Sequence, residues 1–258
     1  MKKLHKFLAF AMTTLLIAGA LSGCGSQGKS LQDIQKNGTM VVATSPDFPP
    51  FEYLEGGNVV GIEVDILEKV AEDLGVTLTI EQMDFDAVVP GVQVGKFDLG
   101  VSGITINEKR EKNVDFSQPY FLASQAIVVM PDSPITCKAD LEGKSVSVQT
   151  GTTAEDYCMN NGYEVLAFTA NNDALAALTS GKVDAWVVDN EVAVSLAAEN
   201  GLNVLTEPMT TEPYAFAFPK ESDSLIEAFN QSLSAMLANG TIEEIFDNYN
   251  AAYVSPQA

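Results

Sequence analysis

From Met40 onward the apolar positions change period repeatedly, and each change marks an element. "MVVATS" is a short run rich in apolar residues and reads as a buried strand. "GIEVDILEKVAEDLGV" places Ile62, Ile66, Leu67, Val70 and Leu74 on one helical face, and Gly75 follows as a stop. "VTLTIEQ" alternates as a strand, and "DAVVPGVQVG" reads as a short helix with Pro90 near its first turns. "KFDLGVSGI" is the next strand. That βαβαβ order predicts a parallel sheet with helices on its faces.

The pattern then recurs. "SVSVQTGTTAEDYCMNNG" is a strand, a Gly-Thr turn and a helix; "YEVLAF" is a strand, "NNDALAALTSG" a helix and "KVDAWVVDN" a strand. The blocks "GKFDLGVSGI" and "GKVDAWVVDN" share Gly, Lys, Asp and Val at matching offsets. Gly-Lys after a helix also arises by chance, but the matched element order predicts two similar α/β lobes. Between them "DFSQPYFLASQAIVVM" holds no Gly/Ser linker, so strand-like crossings are expected. Near the end, "SLIEAFNQSLSAMLANG" carries Leu225, Phe229, Leu233, Met236 and Leu237 on one face, and "TIEEIFDNYN" is a second helix. These helices have no sheet of their own and are expected to return to the first lobe. The expected architecture is an α/β clamshell: lobe 1 from 40–119 plus 215–258, lobe 2 from 125–209, and crossings at 120–124 and 210–214. Ligands of open α/β sheets sit at the carboxyl ends of strands, so a cleft between the lobes is the expected site.

Charge narrows the partners. The 258 residues carry a formal charge of −21, and basic residues cluster only at the N-terminus, which argues against nucleic acid. That terminus reads as an export signal: Lys2, Lys3 and Lys6, then an apolar run from Phe7 to Ala20 that is short for a bilayer span. Leu21-Ser22-Gly23-Cys24 resembles a bacterial lipobox, which implies a signal peptide over 1–23 and a diacylated Cys24. An ordinary secretory signal with a chance cysteine is the alternative. Residues 24–39 are then a lipidated tether to the membrane. Cys137 and Cys158 are equally compatible with a disulfide and with two separate thiols. The one histidine, His5, lies in the signal, and no metal-ligand spacing occurs, so no metal or cofactor is expected.

"SGITINEKR" ends in Arg110, the only arginine of the chain. It falls in the first turn of an expected helix, where the macrodipole disfavours a cation by roughly 0.3–1 kcal/mol. An arginine fork binds a carboxylate bidentately, which lysine cannot match. "TGTT" at 150–153 enters a helix, where free backbone N–H groups also favour an anion. Asp189 ends a strand of the second lobe and suits an ammonium. Each has a plain alternative: a surface ion pair for Arg110, a capping turn for "TGTT" and a turn acid for Asp189. Together they describe the two ends of an α-amino acid zwitterion.

The lipobox, "PPFEY", "GIEVDIL", "DFDAVVPGVQVGKFDLGVSGITINEKR", "VDFSQPY", "VQTGTTAE", "GKVDAWVVD", "YAFAFPK" and "LSAMLANGTIEEIF" run in order over nearly all of the exported chain. By these motifs the chain resembles the bacterial extracellular solute-binding proteins of polar amino-acid ABC transporters, family 3. The resemblance implies a periplasmic-binding-protein clamshell of type II, working as a monomer, that closes on one free amino acid and delivers it to a permease. It assigns Arg110 and Thr105 to the α-carboxylate, with amides and hydroxyls at Thr152 and Thr153. Asp189 and the Gly103 carbonyl take the α-ammonium. Phe48, Phe85, Ser45, Gln149, Glu52 and Ser102 surround the ligand side chain. Ser45 stands where several members carry an acid, which weakens the case for lysine or ornithine. Some relatives with this fold are dehydratases of cyclic carboxylates, for which Glu52 or Glu212 is the candidate acid. A sensory receptor would use the same binding chemistry.

Overall fold

The computed structural model describes residues 28–205 and 207–256. Cys24 and the signal segment lie outside the described residues. Helix α1 (Leu31–Asn37) opens with a capping box in which Ser30 and Asp33 satisfy each other's backbone N–H, and Gly38 closes it in the left-handed conformation. Ile34 is buried beneath it. Residues 31–39 of the expected tether, more than half of it, are folded onto the body by local capping and one apolar anchor.

Strand β1 (Thr39–Thr44) leads into a small antiparallel sheet of β2 (Asp47–Phe48), β3 (Glu52–Glu55) and β4 (Asn58–Val60), which the sequence pattern does not announce. Helix α2 (Ile62–Leu74), β5 (Thr77–Gln82), α3 (Phe85–Gln93) and β6 (Leu99–Gly100) follow. Helix α3 begins at Phe85, so Pro90 sits in mid-helix and not in the first turn. Helix α4 (Glu108–Glu111), β7 (Asp115–Phe116) and β8 (Phe121–Ala123) complete this half. The second half runs through β9 (Gln125–Val129), a 3-10 turn (Lys138–Leu141), β10 (Ser145–Gln149), α5 (Thr153–Asn160), β11 (Glu164–Phe168) and α6 (Asn171–Thr179). It continues with β12 (Ala185–Asp189), α7 (Asn190–Asn200) and β13 (Asn203–Leu205). The chain returns through β14 (Glu212–Tyr214) and β15 (Ala217–Phe218), then ends in α8 (Asp223–Ala238) and α9 (Thr241–Asn248).

Two five-stranded sheets result, ordered β5-β1-β6-β15-β7 and β11-β10-β12-β9-β13. In each, the first three strands are parallel, the fourth runs antiparallel to both its neighbours, and the fifth again runs with the first three. The lobes thus repeat one topology, with β15 and β9 in equivalent places. Helices α8 and α9 pack on α2 of the first lobe. The two connections between lobes pair with each other as β8 and β14, register Phe121↔Tyr214 and Glu212↔Ala123. They are anchored by rings: Phe51, Phe121, Tyr214 and Phe246 stack with centroids 4.8 to 6.0 Å apart. Such ring pairs add about 0.5–1.5 kcal/mol each beyond area burial, which fixes the crossings to lobe 1.

Cys137 and Cys158 are separate thiols. Cys158 lies on the buried face of α5, where burial pushes its thiol up to about 12. Among the described residues no helix is long and apolar enough to cross a membrane.

Candidate ligand-binding cleft

Asn107 caps α4, its side chain accepting the Arg110 backbone N–H at 2.9 Å. The cap fixes the turn and so aims the Arg110 side chain inward, where the residue is 8 % exposed. Nη1 donates to the Thr105 carbonyl at 2.9 Å, within lobe 1. Nη2 donates to the Gly151 carbonyl of lobe 2 at 3.3 Å. The Phe85 ring stands 5.5 Å from the guanidinium carbon. The ion pairs among the described residues are Lys29–Asp98, Lys109–Asp156 and Lys220–Asp115, so none neutralises Arg110. Burial pushes the guanidinium down from its ordinary value, while Glu212 and Asp189 oppose that shift from a distance. With two carbonyl partners and no ion pair among the described residues, the buried guanidinium keeps donors that an anion could fill. A cavity of about 210 Å³ opens beside it, lined by Phe85, Arg110 and Gly151.

The segment carrying Thr105 is stitched to the returning crossing. Ile106 N donates to Pro213 O at 2.8 Å, Ala215 N donates to Ile104 O at 3.1 Å, and Thr105 bridges Tyr214. Gly103 needs its glycine: φ is +53°, and an added Cβ would meet Phe48 Cε1 at 2.5 Å. Its N–H donates to Glu63 Oε2 at 3.0 Å, and Tyr120 Oη donates to Glu63 Oε1 at 2.6 Å. Ser102 Oγ donates to Glu52 Oε1 at 2.9 Å and bonds the Ser45 backbone on both sides. Ser45, Ser102 and Glu52 therefore cluster as expected of neighbours. Glu52, however, is fully buried behind Ser102, where burial and adjacent Glu63 push its carboxyl well up.

On the opposite lobe Asp189 ends β12 and is 7 % exposed. Gln125 Nε2 donates to it at 2.9 Å. Burial first, and then neighbouring Glu212, push its carboxyl up to about 8. Glu212, itself buried on β14, thus completes a cluster with Arg110 and Asp189. Thr152 is the N-cap of α5: its Oγ1 accepts Glu155 N at 3.2 Å and donates to Gln149 O at 2.7 Å. Its hydroxyl caps the helix in this arrangement. What the α5 start offers an anion is its leading N–H groups. Thr153 Oγ1 accepts Gln125 Nε2 at 3.2 Å. Gln149 is also engaged: its amide donates to Thr169 O and Asp47, and its Oε1 accepts Asn171 Nδ2. Phe48 is buried against Phe51, with centroids 5.9 Å apart.

Gln125, Glu63, Tyr214, Asp47 and Asn171 escape sequence reading. Gln125 alone left a signal, a polar residue heading the apolar run "QAIVV".

Known proteins place this geometry. Residues 40–252 match the family model of bacterial extracellular solute-binding proteins, family 3. The chain is 31% identical over 253 residues to the arginine-binding extracellular protein of Bacillus subtilis, covering 95% of this chain and 96% of that one. An ancestral arginine-binding protein bound to arginine superposes with a TM-score of 0.78 at 39% identity, covering 82% and 98% of the two chains. An ancestral amino acid-binding protein described as a precursor of cyclohexadienyl dehydratase does so with a TM-score of 0.80 at 33% identity, covering 85% and 98%. The chain, with its duplicated lobes and its buried arginine between them, belongs to the bacterial extracellular solute-binding proteins, family 3.

Proposed function

We propose that the chain is an extracytoplasmic receptor that closes two lobes on a free amino acid and passes it to the permease subunits of an ABC transporter. The observation that carries the reading is Arg110, a buried guanidinium held between the lobes that forms no ion pair among the described residues. The α-carboxylate binds its fork, with Thr105 and the N–H groups at Thr152 and Thr153 beside it. The α-ammonium binds Asp189 and the Gly103 carbonyl. Burying a zwitterion is costly unless both ends find partners, so this pairing selects free amino acids. Ligand bridging of both lobes then shifts the open–closed equilibrium toward the form a permease reads. The side chain lies toward Phe48, Phe85, Ser45 and Ser102 and is polar; relatives named for arginine support that class. The protein binds without chemistry, and Cys24 carries the lipid that holds it at the membrane.

Thermal unfolding against the twenty standard amino acids tests the reading. A ligand at a thousandfold its Kd adds about 4 kcal/mol to stability, so one or a few amino acids should raise the midpoint clearly. Silence across the panel would overturn it, and release of an aromatic product from cyclohexadienyl acids would replace it with a dehydratase. Labelling with a fatty-acid probe tests the anchor: Cys24→Ala should lose the label and release the protein from cells.

A further inference from the structure

The lobes meet at two rims of the cleft. At one, Arg110 reaches Gly151, and Lys109 pairs with Asp156 at 3.2 Å. That ion pair is open to solvent, its side chains 75% and 49% exposed, and such pairs contribute little. At the other rim stands Asp47, on β2 of lobe 1. Its Oδ2 accepts the Asn171 backbone N–H at 2.7 Å and Gln149 Nε2 at 3.2 Å, both from lobe 2. Ser45 Oγ donates to Oδ1 at 3.2 Å from its own lobe and so orients the carboxylate.

The lobe 2 side is preorganised. Gln149 and Asn171 are both buried, and Asn171 Nδ2 donates to Gln149 Oε1 at 2.8 Å. The second Gln149 donor bond, to Thr169 O at 3.1 Å, locks the amide plane. The Asn171 N–H is the first of α6, whose macrodipole adds to the attraction of an anion. Lobe 2 therefore presents two fixed donors, and lobe 1 supplies one fixed carboxylate. Every one of these cross-cleft bonds exists only with the lobes together, so their free energy is entirely differential between open and closed forms.

We propose that Asp47 is the closure latch of this receptor: it sets amino-acid affinity by docking into the Gln149–Asn171 pair of the opposite lobe, without touching the amino acid. Gln149 then serves the latch and does not read the ligand side chain. The affinity consequence rests on the receptor reading above; the closure consequence does not.

Small-angle X-ray scattering of the full chain without amino acid, together with calorimetry against L-arginine and L-glutamine, tests this. Asp47→Ala should shift the scattering toward the open form, lowering the closing constant about 10- to 100-fold, the range for hydrogen bonds to a charged group. Both amino acids, where the parent binds them, should weaken by that same factor. Gln149→Ala removes the other half of the latch and should move both readouts in the same direction. Scattering identical to the parent in both variants would overturn the latch. So would an affinity loss confined to one amino acid, which would make Asp47 a side-chain contact. If Arg110→Ala binds as the parent does, the receptor reading fails, while the scattering without amino acid still decides on Asp47.

Discussion

Arg110 Nη2 and the Gly151 carbonyl meet across the cleft at 3.3 Å, so the one arginine of the chain is shared by both lobes. Helix α4 is a single turn with Arg110 in its last positions, so the dipole cost expected from the sequence does not arise; the Asn107 cap fixes the turn and the side chain is delivered to the lobe interface. Arg110→Ala should lose amino-acid affinity by at least about 100-fold, the scale of a truncated buried charge pair. The thermal midpoint should change far less than the affinity, because no ion pair among the described residues depends on Arg110, and buried Asp189 and Glu212 lose only a charge that acts without direct contact. Arg110→Lys keeps the charge but loses the fork, and should still lose at least tenfold. Calorimetry and thermal unfolding on the same preparations check both halves.

Asp189 makes stability depend on pH. Its carboxyl is pushed from an ordinary 3.8 to about 8, chiefly by burial. Between those values the folded chain keeps a proton that the unfolded chain has released. The associated stability is fully present below about pH 4 and is lost as pH rises through 8. Asp189→Asn should abolish that slope, matching the parent near pH 4 and exceeding it by a margin that grows through pH 8 and levels off by pH 9 in urea unfolding. An arriving ammonium also expels the proton. Titration calorimetry near pH 7 should therefore show proton release on binding, seen as an enthalpy that changes with the ionisation enthalpy of the buffer.

Much of this was legible in the sequence because it rests on periodicity and on rare residues. Ile62 to Leu74 mark α2 by spacing alone, and the repeated "GKFD" and "GKVD" blocks mark the duplication. Arg110 and Asp189 stand out because each ends an apolar strand–turn unit with a charge. Glu63 did not, because at position two of an amphipathic helix a glutamate normally faces water; only the fold turns it toward Gly103 and Tyr120. Asp47 was hidden by its neighbours, since "SPDFPP" reads as a turn and its partners lie 102 and 124 residues away. Helix α7 was missed because its small apolar residues, Val192, Ala193, Leu196 and Ala197, give no contrast between faces.

Gly103 is the tightest point of the floor. A methyl there would meet Phe48 Cε1 at 2.5 Å and Tyr214 Cε2 at 3.1 Å, on a backbone at φ +53°. Gly103→Ala should cost about 1–3 kcal/mol of stability from left-handed strain and ring displacement. It should also weaken amino-acid binding by turning the 103 carbonyl. Gly162→Ala is the control: it has comparable positive φ and open space around it, so it should show the smaller backbone cost and unchanged binding. Urea unfolding and calorimetry separate the two effects.

Glu52 and Glu63 are both fully buried under the same floor, yet their loss should differ in sign. Glu63 accepts two buried donors, Gly103 N and Tyr120 Oη. Glu63→Ala strands both, and each unsatisfied buried donor costs about 1–3 kcal/mol. Glu52 accepts Ser102 Oγ, and its carboxyl is pushed well up by burial and by the adjacent Glu63. A neutral amide keeps that acceptor and matches the uncharged form that burial and Glu63 already favour. Glu52→Gln should therefore leave stability at pH 7 unchanged or raised, whereas Glu63→Ala should lower it by several kcal/mol. Denaturant unfolding of the two variants decides: equal losses would mean that the two carboxyls carry the floor jointly and that Glu63 is not its anchor.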